Sequence, residues 1–88
     1  MVMFKILFTS RADKDKKLLK SAGLDKKAKE LLDIIAQNPF QNPPPYEKLV
    51  GNLQGTYSRR ISYQHRLHYY VDDANHEIRV LRMWSHYE

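Results

Sequence analysis

All four prolines of this chain fall between residues 39 and 45, and they divide it into two unlike halves. Proline fixes φ and lacks an N–H, so a helix ends at Asn38-Pro39, and Pro43-Pro44-Pro45 imposes an extended connector. Ahead of the connector, apolar residues recur at helical spacing. Behind it they form β-rich runs separated by turns. The fold must therefore keep its helices and its later strands as consecutive groups.

Residues 2–8 are almost wholly apolar and predict a first strand covered on both faces. Ser10, with Asp13 three residues on, gives a capping-box-like start to a first helix, and Gly23 suits the position past its end. Ala12, Leu19 and Ala22 make a thin apolar stripe on it, with the Lys-rich remainder solvated. Leu24, Ala28, Leu31, Leu32 and Ile35 mark a second helix, with Lys26–Glu30 and Lys29–Asp33 as opposite-charge pairs on its outside. The short link at Gly23 makes the two an antiparallel hairpin. After Gly51 and Gly55 come strands over 57–62, 67–71 and 77–84. Their links, Tyr63-Gln64-His65 and Asp72-Asp73-Ala74-Asn75, are short enough for hairpins.

The order is β-α-α-β-β-β. It predicts an α+β fold in which the helical hairpin packs on one face of a mainly antiparallel four-stranded sheet. The other face is left for function. Apolar residues continue almost to the last position, so the C-terminus is expected to be a docked strand that holds His86 and Tyr87 at the sheet rim.

Eighty-eight residues make a single domain, 1–88, of modest stability, burying about 60–65% of the unfolded chain's surface. The absence of cysteine fits a reducing, cytoplasmic setting. No apolar run approaches the roughly 20 residues that span a bilayer. Lys5 interrupts the opening apolar run and no small-residue cleavage site follows, which argues against a signal peptide. Fifteen Lys and Arg against ten Asp and Glu give a net charge of +5. Such an excess attracts polyanions, nucleic acid first, though an acidic protein or an anionic membrane would also answer.

The four histidines (His65, His68, His76, His86) lack zinc-ligand spacing. No phosphate-binding glycine loop or serine-hydrolase elbow is present. Period-two alternation is more telling. Leu67, Tyr69 and Val71 point to the core, so Arg66, His68 and Tyr70 face outward. The last strand is apolar on both parities, so its alternation leaves open which side His86 takes. Arg66, with one or both of Arg59 and Arg60, gathers on the open face among Tyr57, Tyr63, Tyr70 and Tyr87. Guanidinium groups that hold phosphates beside rings that stack unpaired bases point to RNA, although solvated strand cations fit the parity equally well. Trp84 reads as core, His65 as structural, and His68 and His76 as surface residues.

Tyr46-Glu47-Lys48-Leu49, Asn52-Leu53-Gln54-Gly55, Ser58-Arg59-Arg60-Ile61, His65-Arg66-Leu67 and Arg82-Met83-Trp84-Ser85-His86-Tyr87 follow one another in the second half. In order and spacing the series resembles the YoeB/Txe family of bacterial toxins, RelE-like mRNA interferases of type II toxin–antitoxin systems. The first half agrees only in element order, with Arg11-Ala12-Asp13-Lys14-Asp15-Lys16-Lys17 where many members carry Trp and Tyr. The resemblance implies a metal-independent, cofactor-free endoribonuclease that cleaves mRNA in the ribosomal A site by 2′-OH attack on the adjacent phosphate. It further implies Glu47 as general base, His86 as general acid and Arg66 as charge stabiliser. Tyr87 would complete the catalytic set by orienting the RNA, with Arg59 and Arg60 binding it, and the strand pattern adds Tyr57 as an RNA-binding ring. An acidic antitoxin of the YefM/Axe type would neutralise the toxin, and members pair as homodimers. The competing reading is a non-catalytic module of the same fold that binds RNA or protein. Such a module needs Arg66 but has no use for Glu47 opposite His86.

Overall fold

The computed structural model describes residues 3–49, 55–63 and 65–84. The elements are β1 (Lys5–Phe8), α1 (Ser10–Ser21), α2 (Asp25–Gln37), β2 (Tyr46–Lys48), β3 (Thr56–Arg60), β4 (Arg66–Asp72) and β5 (Glu77–Arg82). They form a helical hairpin against one five-stranded sheet of order β1-β5-β4-β3-β2. β1 runs parallel to β5, and the other neighbours are antiparallel. The extra strand is β2. The expected connector is extended only as far as Pro45, after which Tyr46, Glu47 and Lys48 pair with Arg59, Ser58 and Tyr57.

The α1 cap is Thr9 rather than Ser10, which is already helical. The Thr9 hydroxyl accepts from the Ala12 amide at 3.1 Å and donates to the Leu81 carbonyl at 3.0 Å, so one side chain starts the helix and ties it to β5. Gly23 ends the helix at φ +75°, as expected of a residue just past a helix end. Ala22 is exposed. The buried position on the Lys-rich part of α1 is instead Asp15. Its Oδ2 accepts from Arg82 Nε and from the Met83 amide, both at 2.9 Å.

Ala12, Leu19, Ala28, Leu31 and Ile35 of the helices meet Leu67, Tyr69, Ile78 and Val80 of the sheet in one core. β1 is an edge strand, with Lys5 exposed and Ile6, Leu7 and Phe8 half-buried, so it is not covered on both faces. β5 lies inside the sheet, and a bulge explains its apolar residues on both parities. Tyr69 pairs with Val80 but His68 pairs with Arg82, so one extra residue is accommodated. Alternation therefore slips, and Met83 joins Ile78 and Val80 in the core. Residues 85–88, where a docked terminal strand was expected, lie outside the described residues.

Candidate active site

The helix-free face carries a row of polar side chains set by strand register. Glu47 stands opposite Ser58, Ser58 opposite His68, and Arg60 opposite Arg66. Since Leu67 and Tyr69 are fully buried toward the helices, pleating turns Arg66, His68 and Tyr70 to the other side. Pro45, Tyr46, Glu47, Ser58, Arg60 and Arg66 line a shallow depression of about 280 Å³ on that face. Glu47 Oε1 lies 3.7 Å from Arg66 Nη1. Glu47 is mostly in solvent and Arg66 only partly, so the pair contributes at most about 1 kcal/mol to stability. Its meaning is chemical: a carboxylate oxygen that can take a proton stands beside a fixed cation.

His68, expected at the surface, is buried. Desolvation, reinforced by the Arg66 and Arg82 cations, lowers its pKa below the ordinary 6.5, so the imidazole is neutral at pH 7. Its parity with Arg66 was the sequence signal for its place in the row. Ser58 is also buried in this row, and its Oγ has no hydrogen-bond partner among the described residues.

Two expected RNA-binding residues lie elsewhere. Arg59 is 1% exposed and points toward the helix side. Nε donates to the Tyr69 hydroxyl (3.0 Å), Nη1 to the Pro44 carbonyl (2.6 Å), and Nη2 to the carbonyls of Pro39 (3.0 Å) and Gln41 (2.8 Å). A buried cation needs such partners, and with four of its five N–H donors engaged and the side chain 1% exposed, this guanidinium is out of reach of a phosphate in solvent. Burial raises the pKa of the Tyr69 hydroxyl, with Arg59 pulling the other way, so the phenol stays protonated. Tyr57 shares that face. Its ring packs against Phe40, Tyr46 and Tyr69 at centroid distances of 5.2, 5.8 and 5.8 Å, an aromatic cluster rather than a platform for bases. Neighbouring Arg60 is the exposed arginine at the depression.

His65 is structural, as expected, but through a specific contact. Its ring stacks on Trp84 (centroids 4.1 Å apart) and its Nδ1 meets the Trp84 carbonyl. Trp84 is half-buried against the core. His76 stacks on Phe4 at 3.7 Å. His86 and Tyr87 lie outside the described residues. Among the described residues, no three His, Cys, Asp or Glu side chains gather as a metal-ion site, and no helix is long and apolar enough to cross a membrane.

A family model described as the YoeB-like toxin of bacterial type II toxin–antitoxin systems matches residues 8–87. The chain belongs to the YoeB toxin family. Toxin YoeB of Synechocystis sp. is 38% identical over 74 residues, covering 84% of this YoeB-family chain and 77% of the relative. The YoeB dimer from Staphylococcus aureus superposes with a TM-score of 0.82 at 38% identity, covering 98% of this chain and all of that one. The YoeB–YefM complex from the same organism gives 0.79 at 38% identity, covering 96% and 98%. The RelE-like α+β architecture expected from the YoeB resemblance is thus the fold observed, with β2 added to the predicted sheet.

Proposed function

We propose that this chain is a ribosome-dependent endoribonuclease that cleaves mRNA in the ribosomal A site and so inhibits translation. The observation that carries the reading is the 3.7 Å approach of Glu47 to Arg66 on the helix-free face, in a YoeB-family chain. Glu47 takes the proton of a ribose 2′-OH, whose oxygen attacks the adjacent phosphorus. Arg66 stabilises the charge gathering on the phosphorane oxygens. His86 gives its proton to the departing 5′-oxygen as the P–O5′ bond breaks, while Tyr87 orients the RNA and Arg60 holds a flanking phosphate. The side chains named supply base, acid and charge stabilisation without a metal ion.

The S. aureus relatives support two partners, an antitoxin of the YefM type and a second copy of the chain. An acidic, partly disordered antitoxin suits a surface of net charge +5. Work on translating ribosomes would take place in the cytoplasm.

The test is purified translation with primer extension along a reporter mRNA. Cuts within A-site codons should need ribosomes. Glu47→Gln and His86→Gln should each lower the cleavage rate by about 10²–10⁴-fold while ribosome binding is retained. No cuts from a folded, ribosome-binding wild type would favour the binding module instead.

A further inference from the structure

Glu47 is poorly anchored by its own strand. β2 has three residues, sits at the sheet edge and leaves the Glu47 side chain 69% exposed. A short edge strand with pairing on one side holds its backbone weakly. Something else must fix where that carboxylate stands.

The segment that delivers the chain to β2 is residues 38–45, and its carbonyls converge on one buried side chain. Arg59 donates to Pro39, Gln41 and Pro44 at once, and Tyr69, which accepts from Arg59 Nε, donates its own proton to the Pro39 carbonyl at 2.9 Å. Arg59 also stands opposite Tyr46 in register, with its guanidinium carbon 4.9 Å from the Tyr46 ring centre. It therefore grips the loop three residues before Glu47 and the ring of the residue next to it. The planar fork is what reaches several carbonyls together. An ammonium is a single point with a different donor geometry and cannot span them.

We infer that Arg59, backed by Tyr69, is the positioning residue for Glu47: its buried guanidinium clamps the 39–46 segment to β3 and so sets the carboxylate against Arg66. The inference rests on the ribonuclease reading for its kinetic consequence, though not for the clamp. Arg59 touches no substrate, because it is 1% exposed and four of its five donors are engaged inside the fold. Its effect passes through the placement of Glu47, and a misplacement of about 1 Å at a reacting group can cost on the order of 10²-fold in rate.

Arg59→Lys keeps the charge and removes the fork. In the ribosome assay its kcat should fall about ten- to hundredfold. The KM for ribosomes should stay within about twofold, because Arg60 and Arg66 on the other face are untouched. Amide hydrogen exchange should quicken across residues 41–48 while β4 and β5 keep their protection. Tyr69→Phe deletes the second bond to Pro39 and one acceptor of Arg59. It should act in the same direction to a smaller extent, and it carries the test if Arg59→Lys does not fold. An unchanged kcat, a raised KM with kcat intact, or exchange quickened evenly over the whole sheet would overturn the inference. Exchange is read without any cleavage. A wild type that cuts no RNA would thus remove the ribonuclease reading, while exchange alone would still decide for or against the clamp.

Discussion

Arg59 and Arg60 are adjacent, identical in type and opposite in fate, because pleating sends neighbours to opposite faces of β3. One is spent on carbonyls under the sheet, and the other stands in solvent beside Glu47 and Arg66. His68 shows the same logic on β4, where its face is right for the site but its burial keeps it neutral. That burial has a pH consequence. The folded imidazole titrates below 6.5 and the unfolded one near it, so in that window the unfolded chain binds more protons. Stability should then fall as pH drops through about 6.5 toward the folded value. Melting curves between pH 7.5 and 5.5 should show the loss, and His68→Gln should flatten it. An equal slope in the variant would remove His68 as its source.

At the scale of elements, α1 is held by two polar ties as well as by the Ala12 and Leu19 positions of its thin apolar stripe. Thr9 bonds to Leu81 at the helix start, and Asp15 bonds to Arg82 and Met83 at the end of β5. Asp15→Ala leaves a buried amide and a half-buried guanidinium without their acceptor. It should cost about 2–3 kcal/mol in chemical unfolding, whereas Asp13→Ala, an exposed partner of Lys16, should cost well under 1 kcal/mol. Equal losses from the two would contradict the anchoring role. Asp15 also anchors the end of β5, from which the sequence runs on to His86 and Tyr87, the proposed acid and RNA-orienting residue.

Across the whole molecule, the positive charge is distributed unlike the site. Arg11, Lys14, Lys16, Lys17, Lys20, Lys26, Lys27 and Lys29 all lie exposed on the helical hairpin, more than half of the fifteen basic residues. Arg60 and Arg66 are the arginines at the depression. Under the proposed function, net charge would support encounter with a polyanion, while these two cations would contact it locally. Binding to single-stranded RNA should weaken as salt rises, and Arg60→Gln should make the log–log slope shallower by about 0.7, one phosphate contact. An unaltered slope would take Arg60 out of contact with the backbone.

Apart from β2, the order of elements, together with the helical hairpin and the outward face of Arg66, was legible in the chain, because spacing of 3.6 and of 2 is local geometry that each segment expresses alone. The roles proposed for Glu47 and His86 come only from their motifs' resemblance to a family. The sequence could not reveal that Arg59 is buried, that Tyr57 packs with Tyr46 and Tyr69, or that the run after Pro45 pairs as an edge strand. Nor could it reveal the bulge that turns Met83 inward. Each of these depends on partners distant along the chain, such as the Pro39 carbonyl beneath Arg59 or the offset of β5 against β4. Periodicity determines which side a residue can take, and only the packed sheet decides what waits there.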